Sequence, residues 1–208
     1  MHTIHLWALA LLFYGLFLRW YENWRGPLRR EEIDEFMRRL ESVPTSQPGE
    51  REIVRAFLEA DDGREFLMLN LVRLSPEPVV DPSTGQPRPA REVLEGYMRP
   101  FVRALVRRGG HPAFTARPIG GFVDTWGIEP GPGWSLVGMM RYRSRRDLME
   151  LVTDPRFTAV HGFKHAAMPV TCSFPMGRIR LRTTPRAVVA LVLALGAALG
   201  HLALLTAR

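Results

Sequence analysis

From Ala187 to Ala207 (AVVALVLALGAALGHLALLTA) the chain carries no charged side chain and a single imidazole, His201. A run of that length and apolarity satisfies what a bilayer demands of a crossing helix, where every peptide group must be bonded within the segment. No other feature constrains the chain as much, because it predicts that part of the molecule is solvated by lipid. Within the run Gly196 and Gly200 stand four apart beside Ala197 and Ala198. Small residues at that spacing let a second helix backbone come close, although alanine- and glycine-rich spans also produce it by chance. His201 sits near the end of the span and is expected to reach the interface rather than hold a cofactor.

The N-terminus repeats the theme more briefly. Ile4 to Leu18 (IHLWALALLFYGLFL) contains no acid, lysine or arginine, and Arg19, Trp20, Tyr21 and Trp24 follow. Aromatic rings beside arginine suit the headgroup layer. The run falls short of the roughly 20 residues of a typical span, but Met1–Thr3 and the aromatic flank extend it. No basic residue precedes it and no small-residue cleavage site follows, so a retained anchor is expected rather than a signal peptide. Arg19, Arg25, Arg29 and Arg30 lie just inward of this segment, and Arg178, Arg180, Arg182 and Arg186 just before the second. The positive-inside rule then predicts two spans in the inner (cytoplasmic) membrane of a bacterium, with the central domain cytoplasmic and both termini across the bilayer.

The resulting organisation is an anchor over 1–24, an amphipathic helical linker over 25–63, an α+β domain over 64–178 and a transmembrane helix over 185–207. The net charge of +7 does not point to nucleic acid. Many arginines flank the spans, where anionic lipid accounts for them, others are interleaved with acids, and no aromatic–basic RNA motif or recognition helix stands out. Of the 28 basic residues only Lys164 is lysine. The single cysteine, Cys172, excludes an internal disulfide and a four-thiolate zinc site.

In the linker, Ile33, Phe36, Met37 and Leu40 follow helical spacing over 27–43, and Pro44–Gly49 breaks the pattern. A second short helix carries Ile53, Val54, Phe57 and Leu58. Mixed charge on the polar side favours packing on a core over lying on a membrane. Phe66 to Val72 reads as a buried strand. Alternation puts Phe66, Met68, Asn70 and Val72 on one face and Leu67, Leu69 and Leu71 on the other, and the leucine face is expected to lie under helices.

Ser75 to Ala90 is a long proline-rich connection of the kind that forms a lid or stays disordered. Val93, Leu94, Tyr97, Phe101 and Leu105 then mark a helix ending at Gly109-Gly110, which Pro100 should kink or divide. One or two short strands are expected over 112–123, a turn over 127–133 and a strand over 134–142. Ser144-x-x-Asp147 and Asp154-Pro155 are helix-start signals, the second opening a helix through Phe157, Val160, Phe163 and Ala167. Val170–Phe174 is a last strand. The order strand, helix, strand, strand, helix, strand is a split βαβ arrangement of ferredoxin-like form.

Met68-Leu69-Asn70-Leu71-Val72, Tyr97 in a helix ending at Gly109-Gly110, and Trp134 before a strand ending Arg141-Tyr142-Arg143-Ser144-Arg145 form a recognisable series. Asp154-Pro155-Arg156-Phe157 followed by His161 and His165 completes it. Over residues 64–176 the series resembles the dimeric α+β barrel superfamily, in particular its small bacterial domains without assigned function. The resemblance implies two ferredoxin-like subunits whose sheets face each other, with a pocket between each sheet and its helices or within the barrel. Relatives include cofactor-independent monooxygenases, haem-degrading oxygenases, haem peroxidases and lactone isomerases, so the fold does not fix the chemistry. Lys164-His165 stands where a His-Arg-type pair is expected, and most relatives lack membrane segments.

His161 is the candidate general base, because an imidazole titrating near about 6.5 suits proton abstraction from a phenol or an α-carbon. Met68, Asn70, Tyr97, Trp134, Arg141 and His165 are candidate ligand-binding residues, and Gly196 and Gly200 candidate helix-packing residues. His161 and His165 share a helix face but find no third ligand at recognisable spacing, so neither metal nor other cofactor is expected. No nucleophile elbow, phosphate loop or dinucleotide fingerprint is present. Three readings stay open: a membrane-anchored homodimer binding a small apolar or aromatic molecule, an accessory subunit of a membrane complex, and a cofactor-independent monooxygenase or isomerase using His161.

Overall fold

A computed structural model describes residues 2–41, 49–127, 131, 133–177 and 184–206. The chain divides into two compact units, Met1–Trp24 with Ile179–Arg208, and Arg25–Arg178.

The first unit is a pair of helices, α1 (His2–Tyr21) and α8 (Pro185–Thr206), both long and apolar enough to cross a membrane and both largely exposed along their length. They pack on each other. A Cβ added at Gly200 would meet Leu6 Cδ1 at 3.2 Å, so this glycine permits the approach, whereas one at Gly196 would meet nothing within 4 Å. Trp7 Nε1 donates to His201 Nδ1 at 3.3 Å. His201 therefore has a partner inside the pair and does not need the interface that the sequence suggested, as befits a polar group in an apolar helix. At the other end the Arg186 guanidinium pairs with Glu22 (Nη2–Oε2 2.9 Å) and lies 4.9 Å over the Tyr21 ring.

The second unit is mixed α+β. Its elements are α2 (Arg30–Leu40), α3 (Glu50–Glu59), β1 (Phe66–Arg73), β2 (Val79–Val80), β3 (Pro87–Arg88), α4 (Ala90–Arg107), β4 (His111–Ala116), β5 (Leu136–Tyr142), α5 (Arg145–Val152), α6 (Pro155–Thr158), α7 (His161–Ala167) and β6 (Val170–Met176). The main sheet has the order β4-β5-β1-β6, and every neighbouring pair is antiparallel. Both start signals act as expected: Ser144 Oγ accepts from Asp147 N at 3.1 Å, and Asp154 accepts from Arg156 N at 3.0 Å with Pro155 at the first helical position. The helix expected after Asp154 is broken into α6 and α7, while α4 runs through Pro100 undivided.

The proline-rich connection is an ordered hairpin. Asp81, 2% exposed, accepts from Ser83 N (2.8 Å), Ser83 Oγ (2.6 Å) and Arg88 Nη1 (2.8 Å), and this buried carboxylate ties β2 to β3. Beyond β4, Ile119 and Val123 lie fully exposed in a loop, so the region expected to hold up to two strands holds one.

The helices cover the opposite face of the sheet from the one expected. Phe66, Met140 and Tyr142 form the core with Phe101 and Leu105 of α4, Leu151 of α5 and Phe157 of α6, and Met68 packs against them. Leu67, Leu69 and Leu71 pair across the sheet with Arg141, Met139 and Val137, away from that cluster. Both faces of β1 are apolar, so alternation identified the two faces without saying which lies under helices; the large aromatic side chains fill the layer between sheet and helices. α2 and α3 belong to the same unit, where Ile33, Phe36 and Leu58 pack with Met149 of α5.

Candidate functional site

Helix α7 lies against α4, and Gly96 makes the approach possible, since a Cβ there would sit 2.6 Å from the Phe163 ring. The close contact gathers an aromatic and basic cluster around Tyr97. Its ring stacks on Phe101 (centroids 5.7 Å, 10°) and lies 5.2 Å from Phe157 and 6.0 Å from His161. His161 meets Phe157 edge-on at 5.1 Å and His165 at 6.2 Å. Lys164 Nζ stands 5.9 Å over the Tyr97 ring.

Burial sets the ionisation of this cluster. It pushes the Tyr97 phenol up and out of the physiological range. It lowers His161, with the neighbouring Lys164 acting in the same direction. It also lowers Lys164, against the opposing influence of Glu50. At neutral pH His161 is therefore a neutral imidazole able to accept a proton, held between rings.

Of the residues singled out from sequence, Tyr97, His161 and His165 come together here, and Met68 packs against the core cluster that Tyr97 also borders. Asn70 lies on the helix side of the sheet but is occupied. Its Nδ2 donates to Met68 O (3.0 Å) and Gly138 O (3.4 Å), and its Oδ1 accepts from Ser173 Oγ (2.8 Å). Arg141 extends from the other face, 4% exposed, with Nε and Nη2 donating to Glu65 Oε2 at 2.8 and 2.6 Å and Nη1 to Gly109 O. Trp134 precedes β5 and is half-buried. Phe157 and Lys164 were not singled out as site residues; the sequence signal for the second is its being the one lysine among the basic residues.

Two further features bear on binding. A cavity of about 370 Å³ opens between α3, the start of β1 and the end of β6, walled by Phe57, Phe66, Arg145, Pro175 and Met176, and none of the residues anticipated from sequence lines it. The sheet face away from the helices presents Leu69, Leu71, Phe114, Phe174 and Met176, with Phe114 44% and Phe174 42% exposed. Among the described residues no three His, Cys, Asp or Glu side chains converge as a metal site.

No protein-family model matches the chain, and no curated protein does. Among solved structures it is similar to a crystal structure of the methylated RPA0582 protein, with 23% identity, a TM-score of 0.52, and coverage of 67% of this chain and 96% of that one. A second structure, of the RPA0582 protein of unknown function from Rhodopseudomonas palustris, gives 22%, 0.51, 66% and 96%. At this identity the likeness concerns the fold alone, and it defines the class as a mixed α+β protein with a four-stranded antiparallel sheet.

Proposed function

We propose that this protein is a membrane-tethered homodimer of dimeric α+β barrel type that binds a small apolar or aromatic molecule at the cytoplasmic face of a bacterial inner membrane. The carrying observation is the apolar sheet face away from the helices, where Phe114 of β4 and Phe174 of β6 are exposed and Leu69 and Leu71 of β1 half-buried. Contiguous apolar surface of this kind marks an interaction site in a soluble domain. A second copy turned face to face buries it and encloses an apolar lumen between the two sheets.

The strand order β4-β5-β1-β6, antiparallel throughout with helices between β1 and β4 and between β5 and β6, supports the ferredoxin-like reading. Two lipid-compatible helices support the tether, and the arginines flanking them support the cytoplasmic placement. The test is native mass spectrometry of the full chain in mild detergent. The reading expects a dimer retaining a small apolar molecule, and Leu69→Asp should release both. A wild-type monomer would end it.

Gly196 favours a second reading, as an accessory subunit of a membrane complex. Its side of α8 is open, with Val192 and Leu199 exposed one turn away on either side, and it can admit a foreign helix. Copurification of a further membrane polypeptide, abolished by Gly196→Leu, would support that reading.

A further inference from the structure

The 28 basic residues comprise 27 arginines and Lys164. Arginine supplies positive charge but does not shed it in proteins, whereas a lysine amine moved out of water can become neutral and nucleophilic. Lys164 is the one basic side chain in the chain with that option besides the histidines, and its place in the fold uses it. It lies half-buried on α7, with Nζ over the face of Tyr97 from α4. His161 precedes it by one helical turn and His165 follows it. Among the described residues no carboxylate comes within ion-pair distance of Nζ and no hydrogen bond is made to it; Glu50 of α3 acts on it only from further away. The titratable groups around the amine are thus Tyr97, His161, His165 and Glu50, of which one alone is acidic in the neutral range.

We propose that Lys164 is a nucleophilic amine that captures a carbonyl compound, an aldehyde or ketone, as a reversible imine. The neutral Nζ attacks the carbonyl carbon, a C–N bond forms, and the C=O π pair moves to oxygen. The first proton shed by nitrogen passes by way of His161, which is neutral and one turn away, to the alkoxide oxygen and gives the carbinolamine; the second N–H proton takes the same route to the hydroxyl. That oxygen leaves as water when the C=N bond forms. One carbonyl and one amine give one imine and one water, and no oxidant or reductant takes part. The removal of the ammonium from water without a close counter-charge favours the neutral amine, in line with the downward direction of its titration. Tyr97 keeps its phenol protonated beside the amine and so adds no negative charge that would hold it as ammonium. The inference concerns the helix side of the domain and does not depend on how the bare sheet face is covered.

Lys164 is the one lysine in the sequence, so its reaction can be followed cleanly. Full-length protein in detergent is incubated with benzaldehyde and sodium cyanoborohydride, and adducts are mapped by peptide mass spectrometry over a range of pH. The expected result is an adduct at Lys164 that forms at neutral pH at least about tenfold faster than at the lysine of an unstructured reference peptide, with a pH midpoint below the ordinary lysine value of about 10.4. Lys164→Arg should remove the adduct, and His161→Ala should slow its formation while leaving the midpoint of the rate profile below that of the reference. Labelling at the terminal amine alone, or at Lys164 with the rate and midpoint of the reference peptide, overturns the proposal. The wild-type profile decides between these results even if a variant folds poorly.

Discussion

The two faces of the central sheet are made of the same kind of residue and meet different fates. On one face Phe66, Met140 and Tyr142 are closed over by Phe101, Leu105, Leu151 and Phe157. On the other, Phe114 and Phe174 are exposed and Leu69 and Leu71 half-buried, and none of the four belongs to that cluster. Apolar content does not by itself say which face is core. Side-chain volume and the presence of helices able to fill the layer decide it, and the face left over has to be covered by something else.

Phe157→Ala strikes the covered side. Phe157 is 6% exposed and touches Tyr97, Phe101 and His161, so its loss should cost about 3–5 kcal/mol in denaturant unfolding. A cost below about 1 kcal/mol would mean that this face is not the core. Next in size is the pair that fixes α2 to α5. The Arg146 guanidinium, 3% exposed overall, donates to both Glu32 oxygens at 2.9 and 3.0 Å.

That bond, more than the neighbouring backbone amide of Arg29, lowers Glu32 from its ordinary 4.5 to about 2. Because the ionised form is the one favoured in the fold, its contribution is complete above about pH 4.5 and disappears as pH falls toward 2. Glu32→Gln should therefore cost about 3 kcal/mol at pH 7 and flatten the acid limb of the stability curve between those values. A pH profile identical to wild type would remove the pair from the account.

Leu69→Asp addresses the bare side and should act on association rather than folding. The expected outcome is a monomer by light scattering that still unfolds in one cooperative transition, with its stability no longer dependent on protein concentration. A collapse of the fold would instead mean that the face is internal to one chain. The smallest effect belongs to the lipid-compatible pair. Gly200→Leu would set its Cβ 3.2 Å from Leu6 Cδ1 and must push that side chain away, while Gly196→Leu has open space. Disulfide crosslinking between cysteines placed on α1 and α8 should weaken for the first and not for the second; equal behaviour would contradict the packing described here.

Much of this architecture is legible in the sequence because local rules act there alone. The two apolar runs, Ser144 and Asp154 as caps, and the strand starting at Phe66 depend on composition and spacing over a few residues. What was not legible depends on distant partners. The choice of covered face rests on Phe101 and Phe157 arriving from other elements, and the ordering of the proline-rich hairpin rests on Asp81 reaching Ser83 and Arg88. At the candidate site the sequence picked out Tyr97 and His161, which share two helices that pack, but grouped Arg141 with them. Strand alternation turns Arg141 to the other face, where Glu65 holds it. Lys164 was visible as the odd residue in an arginine-rich chain, yet nothing short of the α4–α7 contact places it over Tyr97.

Cys172 offers the most direct test of the paired-sheet account. It is exposed in the single chain and sits beside Leu71 on the bare face. In full-length protein in mild detergent, maleimide should modify this thiol slowly, and Leu69→Asp should raise the rate to that of an open cysteine. Rapid modification of the wild-type protein, at the rate of the unfolded chain, would show that no second copy covers the sheet.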